Sequence, residues 1–206
     1  MAYFATGTAR QQADLVTMCT DNLGYLVSVG DQDEWNVKID RGWDLARFLG
    51  EAAWFYEEPA YLWFARHLRY SDRPFGAFAA PEAAPVPERF VGLHVLPLHP
   101  NVYDNMSLDE KETVRTYESA PPITVKKEEA FDKLTFREAA DPAKQYLLLD
   151  GVSGMDHGHI DGNSISRFTD LERIWLIDCG WTRVYPRDHN TLLVTRDGVA
   201  RAPQKA

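Results

Sequence analysis

Cysteines are scarce in this sequence, and the two that occur form no recognisable pattern. Cys19 and Cys179 lie far apart among 206 residues. A single distant pair is not a disulfide framework, and no CxxC motif is present to bind a metal or to act as a redox pair. The cysteines therefore exclude a small disulfide scaffold and a zinc-ribbon type of site, and they leave the redox compartment open.

Basic residues and long apolar runs are also in short supply. Lys and Arg total 22 against 31 Asp and Glu, for a net charge of -9. A surface of this sign argues against a general nucleic-acid binder, which needs a basic face.

No apolar run approaches the roughly 20 residues of a membrane helix. The first residues lack the basic start and apolar stretch of a signal peptide. We expect neither nucleic acid nor membrane as a partner, and the sequence leaves localisation undetermined.

The composition is otherwise that of a folded protein. Hydrophobic residues make up 45% of the chain, aromatic residues 12% and charged residues 26%. These values exclude a disordered chain, and the length suits one large domain or two small ones.

The first part of the chain carries helical periodicity. Apolar residues recur at three- and four-residue spacing over positions 43–56, with Asp40 as a plausible N-cap. Pro59 ends that helix and can open the next one, which runs to about Leu68. An earlier helix is predicted over positions 9–20. The helices are rich in tryptophan and other large aromatics, which predicts that they pack against other helices.

The pattern changes after a stretch dense in proline and alanine over positions 73–89, which we interpret as a linker. Short apolar runs bounded by turn residues follow and predict strands. The predicted strands cover 90–98, 130–137, 146–149, 164–168, 174–177 and 191–194. We therefore predict an α+β protein, with a helical part over 1–72 and an antiparallel β-sandwich over 90–206. The few helices and a last strand ending at Val194 lead us to expect part of a larger protein.

Histidine and aspartate cluster in the second part. The stretch 156–164 contains a His-x-His pair, Asp178 follows an apolar run, and His189 comes soon after. Imidazole and carboxylate are the usual ligands of zinc and similar ions. His159, Asp178 and His189 therefore form a candidate three-ligand site, although a His-x-His pair in a loop is more often an ordinary surface or hydrogen-bonded pair. Core packing is the favoured interpretation of Trp175, and structural roles are favoured for His67 and His94.

The motifs of this region resemble a known family. Residues 146–198 contain DGxxxxxHGHxDxNS, then WLID, then RDHNTLLVxxDG, and these look like the start of the C-terminal β-sandwich of the heparinase II/III-like polysaccharide lyases. The upstream segment WDLARFLGEAAWFYEEPAYLWFARH is similar to the final helices of their α/α toroid. The resemblance implies a toroid end followed by a sandwich, in a family whose members are often periplasmic or secreted.

The resemblance also implies an activity and a set of site residues. It implies β-elimination on an acidic, uronic-acid-containing polysaccharide and a structural zinc held by His159, Asp178 and His189. It places His157 at the substrate cleft, and other catalytic residues of the family lie in the toroid. Among nearby residues, Tyr185 is a candidate phenol acid or base. The candidate substrate-binding residues are Asn163, Arg183 and Arg187.

Two other interpretations remain open at the level of sequence. The chain could be a non-catalytic carbohydrate-binding or scaffold module in which zinc only braces the sheet. It could also be a cupin-like metal enzyme, in which His157 and His159 bind one ion, because residues two apart on a strand share a face. A homodimer is compatible with each interpretation.

Overall fold

In the computed structural model, the helices of the described residues lie in the first third of the chain. The structure describes residues 2–27, 42–68, 86–97, 131–151, 164–178, 189–191, 194–196 and 199–201. The helices are α1 (Ala2–Ala5), α2 (Thr8–Met18), α3 (Gly42–Tyr56) and α4 (Pro59–His67). The three helices predicted from periodicity are confirmed, and α1 is an addition to them. None of the helices in the described ranges is both long enough and apolar enough to cross a bilayer.

Local chemistry explains where α4 begins. Pro59 occupies the first turn, where its missing N–H costs nothing, and the Glu58 side chain accepts a hydrogen bond from the Ala60 amide at 3.1 Å. The following apolar residues pack against α2 and α3, and the centre of this cluster is fully buried at Leu49, Ala52 and Phe64. The prediction that these helices pack on one another is confirmed.

The second part forms an antiparallel sheet of five strands. These are β1 (Gly92–Pro97), β2 (Phe131–Arg137), β3 (Tyr146–Asp150), β4 (Ser164–Asp170) and β5 (Arg173–Ile177), and they are arranged in chain order. A separate two-stranded sheet contains β6 (Val194–Arg196) and β7 (Val199–Arg201). The molecule is therefore α+β, as predicted.

One face of the five-stranded sheet, which we call the inner face, is buried and unusually polar. Tyr146 and Leu148 on this face pack against Cys19 and Val27, which follow α2. The polar residues buried on the same strands are Lys133, Thr135, Arg137, Asp150, Ser164, Ser166, Arg167 and Thr169. The inner face therefore combines a small apolar cluster with many buried polar side chains.

A buried arginine contacts both the end of α2 and α4. Arg137 on β2 donates to the carbonyl of Thr20 at 2.6 Å and to the side chain of Asn22. Its guanidinium lies over the rings of Phe64 on α4 and Tyr146 on β3, 4.8 and 4.7 Å from the ring centroids. A single side chain therefore connects the sheet to the residues after α2 and to α4.

Two expectations about the sheet region are wrong. The last strand was expected to end at Val194. Instead, β6 begins at Val194, and β7 follows it. Trp175 is not a core residue, since it is 54% exposed. The register between β4 and β5 shifts at this point, and the indole N–H of Trp175 instead donates to the carbonyl of Asp170 at 3.0 Å. Most of the predicted linker 73–89 lies outside the described residues.

Candidate metal centre

Asp178 lies buried at the point where β5 ends. Its backbone N–H donates to the carbonyl of Ser166 at 3.1 Å, which keeps the residue beside β4. Its Oδ2 accepts a hydrogen bond from the Ser164 hydroxyl at 3.0 Å. Because both contacts come from the same strand, the carboxylate has a fixed orientation.

His189 meets this carboxylate from a later part of the chain. Its Nδ1 lies 3.0 Å from Oδ1 of Asp178, and the imidazole side chain is only 1% exposed. The amide of Asn190 approaches the same oxygen at 3.4 Å. Two of the three predicted zinc ligands, separated by eleven positions in the sequence, are thus in direct contact.

Asn190 and Thr191 fix the backbone that carries His189. The Asn190 side-chain amide donates to the carbonyls of Ile165 on β4 and Ile177 on β5, at 3.2 and 2.9 Å. The Ile165 amide donates back to the Asn190 carbonyl at 3.0 Å. Thr191 then pairs with Ser164 as an isolated bridge, so the returning chain takes the place beside β4 that β5 has left.

A buried ion pair lies next to this centre on the inner face. Ser164 pairs with Asp150 in the sheet, and Asp150 pairs with Lys133. The Lys133 ammonium donates to Asp150 at 3.0 Å and to Asp132 at 2.6 Å. Burial lowers the pKa of Lys133, but the two carboxylates outweigh it and the pKa lies above its ordinary value. Lys133 therefore stays charged and compensates nearby carboxylates.

The residue after Asp150 must be a glycine for a steric reason. A Cβ atom on Gly151 would lie 2.5 Å from a ring carbon of Phe131 and would also clash with the Phe131 carbonyl oxygen. The Gly151 amide donates to the carbonyl of Asp132 at 2.9 Å. The Asp-Gly pair that opens the first histidine motif therefore has a structural role at the end of β3.

The pair Asp178–His189 has the donor chemistry and spacing that a zinc site needs. Tetrahedral bonds of about 2.0–2.1 Å place neighbouring ligand atoms about 3.3 Å apart. The observed separation of 3.0 Å between Nδ1 and Oδ1 is close to that value. In a second arrangement, Asp178 would hold the imidazole through Nδ1 and leave Nε2 to face the ion. Among the residues that the structure describes, no group of three or more His, Cys, Asp or Glu side chains is placed to hold a metal.

The remaining predicted site residues lie outside the described ranges. They are the third candidate ligand His159, the candidate catalytic residues His157 and Tyr185, and the candidate substrate-binding residues Asn163, Arg183 and Arg187. Ser164 and Asn190 are functional candidates that sequence reasoning missed. The available signal was their position, since each is adjacent to a residue already singled out in the two motifs.

Two other histidines have structural contacts. His67 stacks on Trp63 at the end of α4, with ring centroids 3.7 Å apart, and its Nδ1 lies 2.7 Å from the Trp63 carbonyl oxygen. His94 on β1 contacts the carbonyl of Val91 at 3.0 Å. Both contacts are local and agree with the structural roles predicted for these residues.

No protein-family model matches this chain, and comparison with curated proteins and with solved structures finds no significant relative.

Proposed function

We propose that the chain is a polysaccharide lyase-type protein with a structural zinc in its sheet domain, which belongs to a β-sandwich that follows the end of an α/α toroid. The observation that carries the proposal is the buried contact between Asp178 and His189. The motif resemblance assigns these two residues to one zinc ion, and burial of two such groups side by side is costly unless they are paired or bind a metal.

The proposed zinc takes no part in the reaction, because its contribution is to brace the loops at the ends of the strands. Asp178 is held by Ser164, and His189 is followed directly by Asn190, which is bonded to both β4 and β5. The third ligand, His159, would tie the histidine-rich loop to the same point. His157, two positions earlier, would then be held in a defined position towards the substrate.

The proposed reaction is β-elimination on a uronic-acid polysaccharide. A base removes the proton at C5, next to the sugar carboxylate, while the bond from C4 to the bridging oxygen breaks. The electron pair of the C–H bond becomes the C4–C5 double bond, and the leaving oxygen receives a proton from an acid. Stabilisation of the charge on the carboxylate is the main requirement, because that C–H bond is otherwise barely acidic.

The proposal assigns these tasks to residues near the motifs. His157 would neutralise the carboxylate or assist proton removal, and Tyr185 would serve as a phenol acid or base. Arg183 and Arg187 would bind the anionic sugar through charge-assisted hydrogen bonds, with Asn163 orienting it. Further catalytic groups would come from a toroid, as the resemblance implies.

The direct test is product formation from uronate polymers. Elimination creates a double bond conjugated with the carboxylate, so the reaction is followed by ultraviolet absorbance. We expect His157→Ala to lower the rate by about 100-fold or more while the zinc content stays unchanged. His67→Ala is the matched control, because His67 lies at the exposed end of α4 and is expected to leave the rate unaltered.

Two outcomes would contradict the proposal. Binding of the polymer without an unsaturated product, indifferent to His157→Ala, would favour a non-catalytic carbohydrate-binding or scaffold module. Redox-active iron or manganese in the purified chain, lost with either His157→Ala or His159→Ala, would favour a cupin-like enzyme.

A further inference from the structure

The first three residues of β4 all contact the candidate metal centre. The Ser166 carbonyl accepts a hydrogen bond from the Asp178 backbone N–H at 3.1 Å, and the backbone of Ile165 is bonded to Asn190. Ser164 reaches the centre through its side chain, because its hydroxyl donates to Oδ2 of Asp178 at 3.0 Å. The contact of Ser164 is therefore one that a side-chain substitution can remove while the backbone contacts of β4 stay in place.

The two carboxylate oxygens of Asp178 have different neighbours. Oδ1 lies 3.0 Å from Nδ1 of His189 and 3.4 Å from the amide of Asn190. Oδ2 accepts the hydrogen bond from the Ser164 hydroxyl. A carboxylate that rotates about its last bond exchanges its two oxygens, and the bond from Ser164 opposes this rotation. Oδ1 is thus kept on the side where His189 lies.

The hydroxyl of Ser164 is itself held in place. Its backbone pairs with Asp150 on β3 and, as an isolated bridge, with Thr191. The residue is 0% exposed, so water does not compete with the carboxylate as its hydrogen-bond partner. A buried hydroxyl needs such a partner, and an ionised acceptor makes the bond stronger. Ser164 is therefore a rigid donor aimed at Asp178.

This arrangement suits a carboxylate that binds a metal through one oxygen. Side chains that bind a metal are commonly held by hydrogen bonds from residues that do not touch the ion, and loss of such a partner typically lowers metal affinity about 10–100-fold. If Oδ1 of Asp178 and Nδ1 of His189 are neighbouring ligands, Oδ2 is the oxygen that remains for Ser164. The hydrogen bond and the metal then use different oxygens and do not compete.

We propose that Ser164 is a positioning residue of this centre, whose hydroxyl holds Oδ2 of Asp178 so that Oδ1 and Nδ1 of His189 face the same zinc ion. The inference rests on the proposed function, from which it takes the zinc, and it adds a residue that sets the affinity. Ser164 does not bind the ion and acts only through Asp178.

The test is a titration of the zinc-loaded chain with a competing chelator, which gives the dissociation constant for zinc. We expect Ser164→Ala to raise this constant about 10–100-fold. Ser166→Ala is the matched control, because it removes a hydroxyl from a residue of the same strand that is also buried, at 3% exposed. Its carbonyl keeps the contact with Asp178, so we expect the dissociation constant of the wild type.

Thermal denaturation with and without added zinc separates positioning from packing. A ligand that binds the folded chain raises Tm, and at a fixed zinc concentration the rise is smaller when the affinity is lower. We expect the zinc-induced rise to be smaller in Ser164→Ala than in the wild type and in Ser166→Ala. A packing role would instead lower Tm equally with and without zinc and would leave the zinc-induced rise unchanged.

The outcomes distinguish this inference from the proposed function. A zinc-loaded wild-type chain whose dissociation constant is unchanged by Ser164→Ala overturns the inference alone. Equal losses of affinity in Ser164→Ala and Ser166→Ala overturn it as well, and so does a Ser164→Ala chain that is unfolded both with and without zinc, since these results assign Ser164 to packing. A folded wild-type chain that holds no zinc overturns the proposed function and this inference with it.

Discussion

Burial, rather than a nearby charge, controls the chemistry of Cys19. The residue follows α2, is 4% exposed and packs with Val27, Tyr146 and Leu148. Burial raises the pKa of its thiol from 9.0 to about 12, with Asp150 and Asp132 acting in the same direction and Lys133 against them. Since the thiolate is the reactive form, Cys19 is a packing residue and not a nucleophile.

This environment predicts resistance to alkylation. In a Cys179→Ser variant, Cys19 is the one remaining cysteine. We expect iodoacetamide at about pH 8 to leave the folded chain unmodified and to label it fully in denaturant, because the thiol is then both exposed and closer to its ordinary pKa. Mass spectrometry measures the difference. Rapid labelling of the folded chain would show that the region after α2 does not pack on the sheet as described.

The residue types of Trp175 and Arg137 predicted the wrong degree of burial at both positions. A tryptophan between isoleucine and leucine predicts a buried strand position, but the shift in register removes Trp175 from the regular pairing. Arginine is normally exposed, so nothing in the sequence indicated that Arg137 would be 2% exposed between two aromatic rings. Both depend on the neighbouring elements, which sequence periodicity does not contain.

At the scale of elements, Arg137 is one of several polar connections between the helical part and the sheet. It contacts the residues after α2 and stacks on rings from α4 and β3. Burial lowers the pKa of Arg137 to about 10. This value is still well above neutral pH, so the guanidinium stays charged. Loss of this side chain would remove the donor to the Thr20 carbonyl and to the side-chain oxygen of Asn22, and it would create a cavity.

We therefore expect Arg137→Ala to reduce the free energy of unfolding by about 3–5 kcal/mol. Urea denaturation followed by circular dichroism provides the measurement. Arg47→Ala is the control, because Arg47 forms an exposed i,i+4 pair with Glu51 and should change stability by less than about 0.5 kcal/mol. Equal effects of the two substitutions would refute a special role for Arg137.

Sequence periodicity predicts long elements better than short ones. The apolar spacing of α3 extends over four turns and gave its bounds to within one residue. In contrast, β6 and β7 have three residues each, too few to display an alternating pattern. The Asp197-Gly198 pair between them is the sequence signal of a two-residue hairpin. In the structure, Arg196 pairs with Val199 on either side of it.

At the scale of the whole molecule, the sheet separates two kinds of surface. Its polar inner face meets the helical part and carries the candidate metal centre at one edge, while the large apolar side chains of β2 and β3 lie on the opposite face. The short apolar runs predicted β2 and β3 as strands, and the structure adds that their burial alternates along the chain. Which face the helical part would cover could not be predicted from the sequence, because the contacts of Arg137 and Tyr146 with the residues around the end of α2 are long-range.

The candidate site was likewise only partly predictable. Residue type and position at the end of β5 pointed to Asp178, and the later motif pointed to His189. Their contact at 3.0 Å required the chain to return beside β4, which Asn190 and Thr191 accomplish through bonds to Ile165 and Ser164. Such long-range pairing follows from the tertiary path of the backbone. His159, the third proposed ligand, remains a prediction.

The most direct test of the account is the zinc content of the purified and dialysed chain, measured by elemental analysis. We predict about one zinc per chain, lost in His189→Ala and in His159→Ala but retained in His67→Ala. Circular dichroism would confirm that each variant is folded. A folded wild-type chain without metal would contradict the account, as would zinc that persists in His189→Ala.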